Sequence, residues 1–490
     1  VEGGMSFETS FSRDLWTEGS IDIDSFTPDI PTSGWEEQST LGESHKQLFE
    51  IERNFKRFER SVDHLIASQP DAAEQAWDAL QSILHQRKVR FGDGPLPVSL
   101  KPHLVSARRH EVWHRHTEQL MLALDQVGRN VIRHPDIYRL LRLPPEAREL
   151  IDIDPGYERM AIISRPDMVW EGDRLSLFEV NSDSPAMMTF TDELEQEALR
   201  LFPINSAEGA RFVRFDRTHT LLRGMLDVYR EWGGTKRCPR IAIVDWAGQK
   251  TRFEQEATAR TFTSLGCQAF TCDPRDLTVE SGRLFAKGRR IDIVYRRVLF
   301  PDFVRRAEEL APLIRAYREG MVCMINPLRS YVLGNKMLLG LLALEEVLEG
   351  LSERQRHVLA KMVLPTRVME LADVDQLIRE KNGWVLKGAF GHGGNEVVLG
   401  PEVSEDEWSY AVNDMAWTPA VAQAYTTPPR LRQPMPNRGH WEFEEAHANW
   451  NPFIFNGVFA GAMTRVSANL KVSITARGAL LPCLPVIWWE

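Results

Sequence analysis

Arg165, Asp167, Glu179 and Asn181 stand at the two ends of a stretch that reads as a β-hairpin. Residues 168–170 (MVW) and 175–179 (LSLFE) are short apolar runs separated by Glu171, Gly172, Asp173 and Arg174, and Gly with Asp between two such runs signals a turn. That turn brings Asp167 near Glu179. Residues two apart on an extended strand face the same way, so Asn181 joins Glu179 and Arg165 joins Asp167. Two carboxylates and an amide oxygen suit a hard cation: Mg²⁺ takes oxygen ligands, keeps several waters and is commonly completed by nucleotide phosphates. Arg165 offers a forked donor to an anion. Acids flank many turns, so the spacing by itself also fits an ordinary surface hairpin.

The elements that would position this hairpin follow from patterning. The chain has 490 residues, 43% hydrophobic and 26% charged, which is ordinary for a globular protein of several domains. A net charge of −10 argues against a nucleic-acid binder. Five cysteines, odd in number and without zinc-type spacing, point away from a disulfide framework or structural zinc and toward a reducing, cytoplasmic location. No run of about 18 apolar residues marks a membrane span.

Residues 1–43, rich in Ser, Thr, Asp, Glu, Gly and Pro, read as an irregular arm. Leu48, Ile51, Phe55, Phe58, Val62, Leu65 and Ile66 then recur at helical spacing, and further helices are expected after Asp71, over 105–132 and near 135–143, giving a helical region over 44–150. Residues 151–236 hold the hairpin and a long helix expected over 207–232, with Ser206 as its N-cap. From about 237 to 330 strand-like and helix-like segments alternate in the manner of a small Rossmann-like layer, without the Gly-rich dinucleotide fingerprint.

In residues 331–490, Lys336 opens an expected helix, NKMLLGLLALEEVLE. The strand ending at Lys387 leads into Gly391-His392-Gly393-Gly394, a glycine-rich connection of the kind whose backbone N–H groups close over phosphates, though also of the kind that joins any hairpin. The strand 421–425 includes Gln423, Ala424 and Tyr425 and could present backbone groups to an adenine edge. The proline-rich, charged stretch 427–451 reads as a solvated loop, and the closing strands carry Arg465, Ser467 and Asn469.

Taken in order, these stretches resemble the circularly permuted ATP-grasp proteins, the group similar to the synthetase half of glutathionylspermidine synthase. The resemblance covers about residues 95–490 and rests on the Arg165/Asp167 and Glu179/Asn181 pairs ahead of Pro185, IDIVYRR at 291–297, NPLRSYVLGNK at 326–336, VLKGAFGHGGNEV at 385–397 and the Arg465 group. It implies an α/β (α+β) ATP-grasp fold in permuted order, with 237–330 as a pre-ATP-grasp subdomain and 331–490 as the nucleotide-binding lobes. It also implies that Asp167, Glu179 and Asn181 ligate Mg²⁺, two ions in all, on ATP. Arg165 and, less directly, Arg465 would act on the transferring phosphoryl group. Lys336 and Lys387 would contact the α- and β-phosphates, Gly391, His392, Gly393 and Gly394 would form the lid, and Gln423, Ala424 and Tyr425 the adenine hinge.

The implied reaction is ATP-dependent joining of a small-molecule carboxylate to an amine or short peptide through an acylphosphate. A non-catalytic nucleotide-binding scaffold and an ATP-dependent small-molecule kinase remain the alternatives. In one place the chain departs from the family pattern: Met187 and Met188 follow Pro185-Ala186 where a glycine is usual. No cysteine precedes Cys238, so the thiol amidase of bifunctional relatives is not expected.

Overall fold

The computed structural model describes residues 41–201, 210–390, 396–437, 440–474 and 478–488. The largest sheet has eight strands. His103–Ser106, Gly478–Trp488, Val458–Ser467, His440–Phe455, Ile163–Glu171 and Arg174–Asn181 follow one another across it, with Arg430–Asn437 paired to His440–Phe455 and Ala210–Phe212 to Gly478–Trp488. Only the pairing of His103–Ser106 with Gly478–Trp488 is parallel among the described ladders of this sheet. The hairpin strand Ile163–Glu171 therefore takes its neighbour from almost three hundred residues downstream, which only a folded chain can arrange.

The helix Ala107–Arg133 begins at Ser106, whose hydroxyl accepts from the Arg109 amide. It buries Trp113, Leu120, Leu124, Val127 and Val131 in the same core as Met168, Leu175, Leu177 and Trp450. The Trp113 and Trp450 rings lie 5.1 Å apart between centroids. Each such aromatic buries a large apolar area, so this contact is a principal tie between helix and sheet.

A second sheet is all parallel, in the order Cys323–Ile325, Ile293–Arg296, Ile241–Val244, Ala269–Cys272. Three of its strands are wholly buried and mostly apolar, as expected of strands covered on both faces, while the edge strand Ala269–Cys272 is only partly buried. A third, antiparallel sheet runs Thr366–Val368, Ala420–Ala424, Trp384–Gly388, Val397–Leu399 and packs its own small core of Met369, Leu377, Leu386, Trp408, Val412 and Met415.

Three local expectations change. The stretch 427–451 is not a loop: it forms the ribbon Arg430–Asn437 and His440–Phe455. Pro434 and Pro436 hid it, yet they sit on the outer strand of the ribbon, where a missing N–H costs no ladder bond on the open side. The helix expected over 207–232 spans only Arg217–Glu231, because Asp216 caps it by accepting from the His219 amide at 2.9 Å, and the strand Ala210–Phe212 comes before it. Ser206 lies outside the described residues. The helix expected from Lys336 stops at Gly340 and continues as short 3-10 turns. A Cβ at Gly340 would come within 3.0 Å of the Val368 amide nitrogen, so this segment is set by close packing on the strand Thr366–Val368 rather than by helical periodicity.

Candidate active site

In the hairpin, Arg165 lies opposite Asn181 and Asp167 opposite Glu179. Opposed residues of an antiparallel pair share a face, so all four side chains project from one side of the sheet. The turn uses Gly172 at φ +59, a conformation that costs glycine little. Asp167 is 3% exposed and Arg165 9%, so these are not the turn acids and solvated arginine of a surface hairpin.

The neighbouring strand completes the floor. Pairing of Trp450 with Met168 sets Asn451 beside Asp167, where its Nδ2 donates to Asp167 Oδ1 at 2.9 Å. Arg465, opposite Asn449, donates through Nη2 to Asp167 Oδ2 and through Nε to Asn449 Oδ1 at 3.1 Å. Burial works against the charge of Asp167, and the Arg465 and Arg165 guanidiniums more than offset it, holding the carboxyl below its usual range. Sequence reading missed Asn449 and Asn451. The signal was the alternation Asn449-Trp450-Asn451, polar and apolar at the period of a strand, inside a stretch taken for a loop.

The antiparallel sheet supplies the facing cation. Lys387 Nζ donates to the Phe178 carbonyl at 3.0 Å and to Gln423 Oε1 at 2.6 Å, and Gln423 Nε2 donates to Thr366 Oγ1 at 2.8 Å. Burial pulls the Lys387 ammonium down to about 8, with Glu179 opposing the fall and Lys336 adding to it. Lys336, itself buried, thus lies within electrostatic reach of Lys387, as do Glu179 and Asp167. The amide N–H groups of Ala424 and Tyr425 donate to the carbonyls of Pro365 and Gly383, both at 2.8 Å, so an adenine edge could take neither proton without breaking these bonds. Gly391, His392, Gly393 and Gly394 lie outside the described residues.

Two motifs act as braces. Asn326 donates to the carbonyls of Ile163 at 2.6 Å and Ser182 at 2.7 Å, while its Oδ1 accepts from the amides of Ile162 and Ile163, so one buried side chain ties the start of the hairpin to its end. Arg296, fully buried, donates to Asp183 Oδ1 at 2.6 Å. The next turn is held by Arg165, which donates to the Ala186 carbonyl at 3.0 Å, by Arg297 on the Pro185 carbonyl, and by Glu254, which accepts from the amides of Met187 and Thr189. Met187, where the resemblance leads us to expect glycine, has φ +82. The backbone keeps the glycine conformation although the side chain is methionine.

Among the described residues, no group of three or more His, Cys, Asp or Glu side chains is arranged to hold a metal. A cation at the hairpin would meet two carboxylates and one amide oxygen, with the remaining positions left to water or phosphate. That donor set suits magnesium rather than zinc. Asn181 gives its Nδ2 proton to the Arg165 carbonyl at 3.2 Å, so its amide oxygen is the end that could meet a cation.

Residues 103–451 match the family described as glutathionylspermidine synthase preATP-grasp, which is more than two thirds of the chain. The chain belongs to this family. No sequence among the curated proteins matches it. In fold it is similar to a glutathione synthetase-like effector from Globodera pallida in its apo form, with a TM-score of 0.55 and 11% identity over 86% of this chain and 97% of that one. A putative gamma-glutamylcysteine synthetase from Methylobacillus flagellatus KT aligns at a TM-score of 0.35 and 10% identity, over 78% of this chain and 89% of that one. In this chain a mixed α/β architecture carries a hairpin floor faced by a buried lysine. No helix among the described residues is long and apolar enough to cross a membrane.

Proposed function

We propose that this protein is an ATP- and Mg²⁺-dependent carboxylate–amine ligase that forms an amide or peptide bond through an acylphosphate. The proposed core is an ATP-grasp fold in permuted order, the metal hairpin preceding the lysines and the glycine loop. The observation that carries this reading is the convergence on one hairpin face of Arg165, Asp167, Glu179 and Asn181 with the buried Lys387 opposite. A surface hairpin would have no reason to bury two arginine–carboxylate contacts and a lysine together, since each buried charge is costly unless paired.

Asp167, Glu179 and Asn181 would hold the metal, which neutralises phosphate charge when bound; two ions are expected. Lys387 and Lys336 would contact the α- and β-phosphates, the loop of Gly391, His392, Gly393 and Gly394 would cover them, and Gln423, Ala424 and Tyr425 would border the adenine. A cavity of about 260 Å³ lined by Leu339, Leu342, Arg356, Leu359, Val363 and Thr366 lies beside Gln423, whose Nε2 donates to the Thr366 hydroxyl. The substrate carboxylate attacks the γ-phosphorus and ADP leaves; the amine then attacks the acyl carbon and phosphate leaves. Arg165 and Arg465 would stabilise the charge that builds on the transferring group, and exclusion of water protects the acylphosphate. Small-molecule substrates fit the acidic net charge better than nucleic acid. Five free cysteines support a cytoplasmic location.

The test is release of ADP and phosphate by the full chain with Mg-ATP and a panel of carboxylates and amines, offered singly and together. Release that requires both, with an amide product by mass spectrometry, is the expected result. Glu179→Gln should lower turnover by about a hundredfold or more while leaving the melting temperature nearly unchanged. A stable phosphorylated product in place of an amide would make the protein a kinase. Absence of turnover with every pair, alongside intact Mg-ADP binding, would leave a nucleotide-binding scaffold.

A further inference from the structure

The two hairpin carboxylates are in different states. No described residue donates a hydrogen bond to the carboxylate of Glu179, whereas Asp167 is held from both sides. Its Oδ1 accepts from Asn451 Nδ2 at 2.9 Å, with Arg165 Nε 3.6 Å away, and its Oδ2 accepts from Arg465 Nη2. A carboxylate fully engaged by a guanidinium is a poor metal ligand until that cation leaves, because the two cations compete for the same oxygen and repel each other.

The two partners of Asp167 differ in how firmly they are fixed. The Arg465 side chain is 18% exposed and is steadied by its 3.1 Å bond to Asn449. Asn451 is wholly buried on a central strand of the largest sheet. Its Oδ1 is buried with no partner among the described residues, an acceptor standing unfilled next to the carboxylate. Such an atom costs free energy unless something brings it a proton, and a water or ammonium carried in with a ligand would do so.

We propose that Arg465 is a stand-in cation on Asp167 in the nucleotide-free protein, displaced when the metal arrives with its nucleotide, and that Asn451 is the positioning residue that keeps the carboxylate aimed while the cations exchange. This rests on the metal assignment made above. The exchange would couple two events: filling the metal site frees the Arg465 guanidinium for an anionic group in the same site. Asn449, on the same strand, would then lose its bond to Arg465 while Asn451 keeps its bond to Asp167.

The test uses Mn²⁺ alone as the probe, titrated into the nucleotide-free full chain and followed by electron paramagnetic resonance of the free ion. Arg465→Gln should bind Mn²⁺ about tenfold more tightly than the wild type, since a competing close cation is removed. Unchanged or weaker binding overturns the exchange. In the Arg465→Gln background, Asn451→Ser should weaken Mn²⁺ binding by about tenfold, and an unchanged affinity overturns its positioning role. Thermal unfolding of each variant checks the fold. Should Asn451→Ser unfold, the arginine Nε resonance of Arg465 in the wild type, assigned by its loss in Arg465→Gln, serves instead: it should shift on addition of Mg-ADP, and a resonance that does not move overturns the proposal. Asp167→Asn and Glu179→Gln separate the two layers. If both leave Mn²⁺ binding intact, the metal assignment itself fails. If they abolish it while Arg465→Gln does not tighten it, only the exchange fails.

Discussion

Lys387 and His114 show how neighbours decide what a single side chain contributes. Lys387 is buried, and its ammonium is held by the Phe178 carbonyl and the Gln423 amide oxygen. Replacing Gln423 with Leu removes a charge-assisted acceptor, so Mg-ADP binding should weaken by about tenfold in calorimetry. His114 lies between Glu111 and Glu118, with ring nitrogens 3.6 and 3.2 Å from their carboxylates. Burial opposes its charge, but the two glutamate carboxylates carry it up to about 9. A histidine raised above its unfolded value stabilises the fold fully below the unfolded pKa, and that contribution disappears as pH rises through the folded one. The stability difference between the wild type and His114→Gln in thermal unfolding should therefore fall by about 1–2 kcal/mol, allowing for solvent screening, between pH 6.5 and pH 9.5.

At the scale of elements, the turn after the hairpin explains how the chain tolerates methionine in a left-handed backbone conformation. The carbonyls of Pro185 and Ala186 are fixed by Arg297 and Arg165, and the amides of Met187 and Thr189 by Glu254, so the backbone is held in the left-handed region whatever side chain it carries. Met187 in turn is buried in the core shared with Phe190 and Leu194. Met187→Ala should cost about 2–4 kcal/mol in denaturant unfolding, through the lost packing alone. Met187→Gly should cost about 1 kcal/mol less than Met187→Ala, because it removes the left-handed strain that alanine would keep. The hairpin turn and the nearness of Asp167 to Glu179 were legible from sequence because a two-strand turn is local; the register shift between Asp167 and Met168 that sets the two carboxylates opposite each other, and the braces, were not. Asn326 and Arg296 lie within motifs quoted for their resemblance, yet what they do, pinning Ile163, Ser182 and Asp183, depends on contacts across more than a hundred residues.

At the scale of the whole molecule, the same division holds. In hydrogen exchange, the amides of the outer strand Arg430–Asn437 should exchange faster than those of Val458–Ser467, which is paired on both sides. That outer strand is also the one the sequence concealed, since prolines and charges on an edge look like a loop until the partner strand is seen. The sequence by itself determined what depends on near neighbours: the hairpin turn, the helical periodicity around Phe55 and Phe58, the apolar runs of the parallel sheet, and the family to which the chain belongs. Tertiary structure alone decided that strand His440–Phe455 lies against Ile163–Glu171, and so that Asn451 and Arg465 hold Asp167. It also set Lys387 across from Glu179. The reason is physical: a side chain's pattern reports which face of its own element is buried, whereas its charge state and its partner depend on which distant strand comes to rest beside it.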